Sequence, residues 1–149
     1  MTYRVNLPEL KARLAPGSWS AAVPGLCVGS CYDANFATDF KNKKPAVWVL
    51  GQSSYAIGNE ENDGYTQIMR QRIRIEVVLR LIVARSNTNQ FNNDAQMTSL
   101  FEAVTSRLFG WLPSNAESNM FYVAAEDGEA NETFISVDLV VGYVAVKEQ

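Results

Sequence analysis

The amino-acid sequence predicts one α+β domain, a mixed and mainly antiparallel sheet with helices packed on one face in the order αβαββαββ. Three observations support this prediction. The chain has 149 residues, the length of one ordinary domain. Within the run 66–84, every second residue from Ile73 to Val83 is apolar and the residues between are mostly charged, which is typical of a strand with one buried face. Two other segments repeat apolar residues at a spacing of three and four, which is typical of amphipathic helices.

The first quarter of the chain predicts a helix followed by a strand. Residues 6–15 read NLPELKARLA, and Asn6 is of a type that commonly caps a helix N-terminus. Leucines recur in this segment at helical spacing, at Leu7, Leu10 and Leu14. Pro16 and Gly17 end the predicted helix, and residues 24–29, PGLCVG, then predict a short buried strand.

Two short elements and a long loop are predicted next. Residues 33–40 predict a second short helix with Phe36 and Phe40 on one face, and AVWVL at 46–50 is a run of β-forming residues. Residues 51–65 contain three glycines and the acidic run NEEND without an apolar period. We therefore expect a long acidic loop at 51–65, which is mobile until a neighbouring protein orders it.

Residues 66–84 form the strongest strand pattern in the chain. One predicted face is apolar throughout, and the other is mostly charged, with arginines at Arg70, Arg72, Arg74 and Arg80. A solvated face whose arginines pair across strands explains this arrangement. The alternative is a contact strip for an acidic partner or the lining of a pore. The length weakens the interpretation as a solvated face, because a strand well beyond the average of about five to six residues must overhang its own domain or bend.

The last third of the chain predicts a helix and a hairpin. Asp94 can cap a helix whose apolar stripe includes Leu100 and Val104 and whose end is set by Gly110, in the stretch RLFGWLP. We expect Trp111 at this corner to fix how the following hairpin returns to the sheet. That hairpin consists of strands over 119–125 and 132–146, joined by a turn at Asp127-Gly128.

The composition predicts no catalytic, cofactor-binding or metal-binding residues. Histidine, the commonest general base and metal ligand, is absent, and Cys27 and Cys31 are too few for a disulfide framework or a zinc site. Phosphate-binding, dinucleotide-binding and metal-binding motifs are also absent. The net charge of −3 does not favour sequence-independent nucleic-acid binding, and no run approaches the length of a membrane-spanning helix. We therefore expect a protein that is not an enzyme and has no membrane partner.

Four segments, in order and spacing, resemble the tail terminator proteins of tailed bacteriophages and Mu-like prophages. They are VGSCYDANFA (28–37), PAVWVLG (45–51), QRIRIEVVLRLIVARSN (71–87) and LFGWLP (108–113). The resemblance implies a small structural virion protein at the tail–neck junction, assembled in the host cytoplasm. Such a protein forms a ring, expected to be a hexamer, that caps the tail tube, stops its polymerisation and joins the tail to the neck.

The partners expected from this resemblance are further copies of the chain, the tail tube protein and a neck or head-completion protein. DNA passes through such a ring without sequence-specific recognition. Our own hypothesis for the subunit or tail-tube interface pairs an acidic set with a basic set: Glu60, Glu61, Asp63, Arg70, Arg72, Arg74 and Arg80. Two alternatives stay open, another neck or head-completion ring protein and a small anion-binding domain or enzyme with Arg72, Arg74 and Arg80 around an acidic metabolite.

Overall fold

The computed structural model describes residues 4–36, 43–57, 70–86 and 90–148. Two α-helices are described, α1 (Leu7–Leu14) and α2 (Gln90–Leu108), with a short 3-10 turn at Ser18–Ser20. The five strands are β1 (Cys27–Ser30), β2 (Ala46–Ile57), β3 (Arg70–Ala84), β4 (Phe121–Ala130) and β5 (Phe134–Glu148).

The strands form one sheet in the spatial order β1-β2-β3-β5-β4. Only β1 and β2 are parallel, and the other neighbouring pairs are antiparallel. The long strand β3 lies at the centre and pairs along its whole length with β5. The predicted α+β class, with a mixed and mainly antiparallel sheet, is thus confirmed.

Both helices cover the same face of the sheet. Every second residue of β3 from Ile73 to Val83 is buried against them, as the alternation predicts. In α2 the predicted stripe is buried, with Leu100 and Val104 inaccessible to solvent. Asn6 accepts a hydrogen bond from the Glu9 backbone N–H at 3.1 Å and so caps α1. We call the face that carries the helices the inner face and the other the outer face.

The predicted loop at 51–65 is wrong for its first half, because β2 continues to Ile57. A register shift between Val49 and Gly51 is followed by antiparallel pairing with β3 as far as Ile57 opposite Arg72. This pairing provides hydrogen-bond partners for the backbone N–H and C=O groups, so the segment remains a strand although it is mostly polar and partly exposed. Residues 58–69, which include Glu60, Glu61 and Asp63, lie outside the described residues.

The start of α2 and the turn of the hairpin also differ from the prediction. Asp94 is not the N-cap, since the helix begins at Gln90. Asn93 is buried and bonds both backbone groups of Ser86, at 2.6 and 3.0 Å, which explains how a polar segment can begin a helix here. The hairpin turns after Ala130, where the Asn131 side chain accepts backbone N–H groups of Thr133 and Phe134.

The second predicted short helix falls partly outside the described residues. Within 33–40, Asp33 to Asn35 form turns, and 37–40 are not described. At the other predicted corner, Gly110 has a φ of 84°, which suits glycine and ends α2. The Trp111 carbonyl accepts from the Met120 N–H at 2.7 Å, so the corner is fixed to the residue before β4 as expected.

Candidate functional site, the outer face of the sheet

The arginines predicted as a contact strip lie along β3. Register places Arg72, Arg74 and Arg80 on the outer face, alternating with the buried residues of the inner face. Arg70 begins the strand opposite Glu148 of β5. The three described guanidinium groups differ in what they contact, and this difference divides the strip along its length.

Arg80 is held by an intramolecular ion pair in the middle of the outer face. Its Nε and Nη2 donate to the two carboxylate oxygens of Asp138 on β5 at 2.8 and 3.1 Å. The two residues are direct neighbours in the antiparallel register. The hydrogen bonds to Asp138 raise the pKa of Arg80 further above its ordinary value. With this geometry Arg80 acts first as a cross-strand clamp.

Arg74 belongs to a small polar and aromatic cluster. Its Nε lies 2.8 Å from Oε2 of Glu76, without the alignment of an N–H···O hydrogen bond. The Tyr55 hydroxyl donates to the same Glu76 oxygen at 2.8 Å, and this bond raises the pKa of Tyr55. The Arg74 guanidinium also lies over the ring of Phe121, 5.0 Å from its centroid.

Arg72 is the most accessible of the three. Its side chain is 55% exposed, and its Nε lies 3.5 Å from a Glu117 carboxylate that is itself 45% exposed. An ion pair with this exposure contributes little to folding stability. Ile57 and Val146 flank Arg72 in the register of β2 and β5. The outer face therefore presents, near the N-terminal end of β3, a cation between two β-branched apolar residues.

A second arginine pair, which the sequence analysis did not identify, joins the two helices. Arg13 Nε donates to the Arg107 carbonyl at 3.1 Å, and Arg107 Nε donates to the Arg13 carbonyl at 2.8 Å. Each guanidinium thus lies at the C-terminal end of both helix dipoles. The sequence feature that could have indicated this pair is the position of each arginine in the last turn of its helix. Arg13 also lies over Trp111, 5.6 Å from the ring centroid.

The described residues offer little that resembles a reaction centre. Glu126 and Asp127 are solvent-exposed, and no group of three or more potential ligands in the described part of the chain could hold a metal ion. Cys27 and Cys31 form no disulfide bond with each other. Within the same described ranges, no helix combines the length and the hydropathy needed to cross a bilayer.

Comparison with known proteins gives a match in fold. No protein-family model matches the chain, and no curated protein matches it significantly. A solved structure described as "Virion of native gene transfer agent (GTA) particle" contains a similar chain, with a TM-score of 0.63 and 13% sequence identity. The similarity covers 96% of this chain and 96% of the other. The two chains therefore share one fold over nearly their whole length.

Proposed function

We propose that this chain is a structural virion protein, a tail terminator that forms a ring on the tail tube, stops tube growth and joins the tail to the neck. The observation that carries the proposal is the fold shared end to end with a chain of a virion particle. The sequence resemblance to tail terminators supports the same role independently, because it rests on four short segments in order rather than on the fold.

The outer face of the sheet fits a contact with another protein better than it fits small-molecule binding. Arg80 is occupied by Asp138 and Arg74 lies beside Glu76, so the three arginines do not converge on one anion. Arg72 is open to solvent beside apolar side chains. Arginine with apolar neighbours is a frequent composition at protein interfaces. We propose that Arg72 and Arg74 form part of a surface for the tube or for a neighbouring subunit.

The location of the chain in purified particles tests the proposed function. Density with this fold, resolved by cryo-electron microscopy, is expected in a ring between the tail tube and the neck. A ring that contacts only the neck and the head would favour the head-completion alternative. A chain that is absent from the particle and binds a small anion as a monomer would overturn the proposal.

The proposed role of the arginines is tested by reversing their charge. Replacing both Arg72→Glu and Arg74→Glu should leave the chain folded, because neither side chain lies in the core, but should impair assembly and give tails of uncontrolled length or tails that do not join heads. The matched control, Arg72→Lys with Arg74→Lys, keeps the charge and should assemble. Normal tails with the glutamate variant would remove these arginines from the interface.

A further inference from the structure

A groove runs between α2 and the edge strand β4 on the inner face of the sheet. Its volume is about 440 Å³. The floor is apolar and includes Met97, Phe101 and Val137, whereas the rim carries the carboxylates of Glu102 and Asp127. An apolar floor with an acidic rim is suited to an apolar group that carries a positive charge.

The groove exists because the helix layer is narrower than the sheet. Helix α2 packs over β3 and β5, and β4 lies beyond them at the edge. The inner side of β4 is therefore left open, with Tyr122 51% exposed. Edge strands also present one row of unpaired backbone groups to the outside. Register shifts interrupt β4 at two places, which limits nonspecific pairing along this edge.

The opposite edge of the sheet carries the complementary chemistry. Beside β1, the Tyr32 ring is 49% exposed, and the Arg4 Nη2 donates to its hydroxyl at 3.1 Å. The Arg4 guanidinium lies over the same ring, 5.6 Å from its centroid. We call this pair the Arg4–Tyr32 knob. It is an exposed apolar group that carries a positive charge.

The charges of the two flanks are also opposite. Strand β4 contains three carboxylates, Glu126, Asp127 and Glu129, and neither lysine nor arginine. The β1 flank, residues 4–33 with 43–44, contains five basic residues and two acidic ones. Within this flank, Lys11 pairs with Asp33 at 3.0 Å, and Arg13 donates to the Arg107 carbonyl at the end of α2. Opposite charge on two separate patches favours contact between copies and disfavours contact of like flanks.

We infer that the Arg4–Tyr32 knob of one copy binds the acidic-rimmed groove between α2 and β4 of a second copy. The two flanks lie at opposite edges of one sheet, so the contact is heterologous, and repeating it closes a ring when the rotation between copies divides a full turn. The Tyr32 ring occupies the apolar floor while Arg4 reaches the carboxylates of the rim. The inference deepens the proposed function, since it names the contact through which the ring closes.

The test compares oligomer formation among charge variants of the full chain, by sedimentation velocity and native mass spectrometry over a range of concentrations. The wild-type chain should associate into closed oligomers. Asp127→Lys in the groove and Arg4→Glu in the knob should each weaken association on the order of tenfold or more, and the double variant should recover most of it. The matched control is Glu129→Lys, the same charge change on the same strand outside the groove.

Thr98→Trp provides a second test without a charge change. Thr98 is exposed and lines the groove, so a large side chain there should block the knob while the melting temperature stays close to that of the wild type. A wild-type chain that stays monomeric, or an Asp127→Lys variant that associates like Glu129→Lys, would overturn the inference. Dissociation by Arg72→Glu alone would move the contact to the outer face. Each result is independent of where the chain lies in particles.

Discussion

Truncation of Leu100 tests the inner-face core directly. Leu100 lies at the middle of α2, is inaccessible to solvent and belongs to the cluster that joins both helices to the sheet. Leu100→Ala removes three carbon atoms. At about 0.8 kcal/mol for each buried methylene, the transfer term is about 2.4 kcal/mol. The cavity left in a well-packed site adds to this, so we expect a total loss of about 2–5 kcal/mol in the free energy of unfolding.

The assay is urea unfolding of both chains at one fixed concentration, because oligomer formation would make stability depend on concentration. The matched control is Thr98→Ala, two positions away on the exposed side of the same helix, which should change stability by less than about 0.5 kcal/mol. Equal unfolding midpoints for Leu100→Ala and the wild-type chain would show that this face of α2 is not packed on the sheet.

Three further predictions concern other parts of the fold. Gly29→Ala should lower stability by about 1–3 kcal/mol in thermal unfolding, because the added Cβ would lie 2.7 Å from the Trp48 ring. The control Gly51→Ala should not lower stability in this way, because a Cβ added there meets open space. A double-mutant cycle of Arg80→Ala and Asp138→Ala, measured by urea unfolding, should give a coupling of about 1–2 kcal/mol, and additive effects would refute the clamp. Burial opposes ionisation of Asp33, but the hydrogen bonds from Lys11 and Ser30 outweigh it and lower the pKa of this carboxyl. The wild-type chain should therefore have a higher free energy of unfolding than Asp33→Asn above about pH 4, and this difference should decline as the pH falls further. A difference in stability that is constant from about pH 7 to about pH 2 would contradict this.

Periodicity predicted the elements that bury a continuous apolar stripe. The alternation around Ile75 and Leu79 allowed only a strand with one buried face, and Leu100 and Val104 allowed only a helix with one buried side. The sheet extends beyond these apolar stripes where a neighbouring strand provides hydrogen-bond partners for the backbone. Residues 51–57 carry no such pattern, and they are a strand because β3 lies beside them.

The arrangement of the candidate surfaces required the register as well as the pattern. The sequence placed the arginines on one face but could not pair Arg80 with Asp138, because 58 positions separate them and a one-residue change of register would part them. The groove beside β4 depends on the relative widths of the helix layer and the sheet. The difference between these two widths is determined only by packing in three dimensions. The predicted hairpin ended β4 before Glu126, so it did not indicate a groove at this edge.

The length of assembled tails tests the proposed terminator role most directly. Particles produced without this chain are examined by electron microscopy, and the length of each tail tube is measured. If the chain stops tube polymerisation, its loss should give tails of variable and excessive length that do not join heads, and supplying the wild-type chain should restore one length. Tails of normal length in its absence would contradict the account, whether or not they join heads.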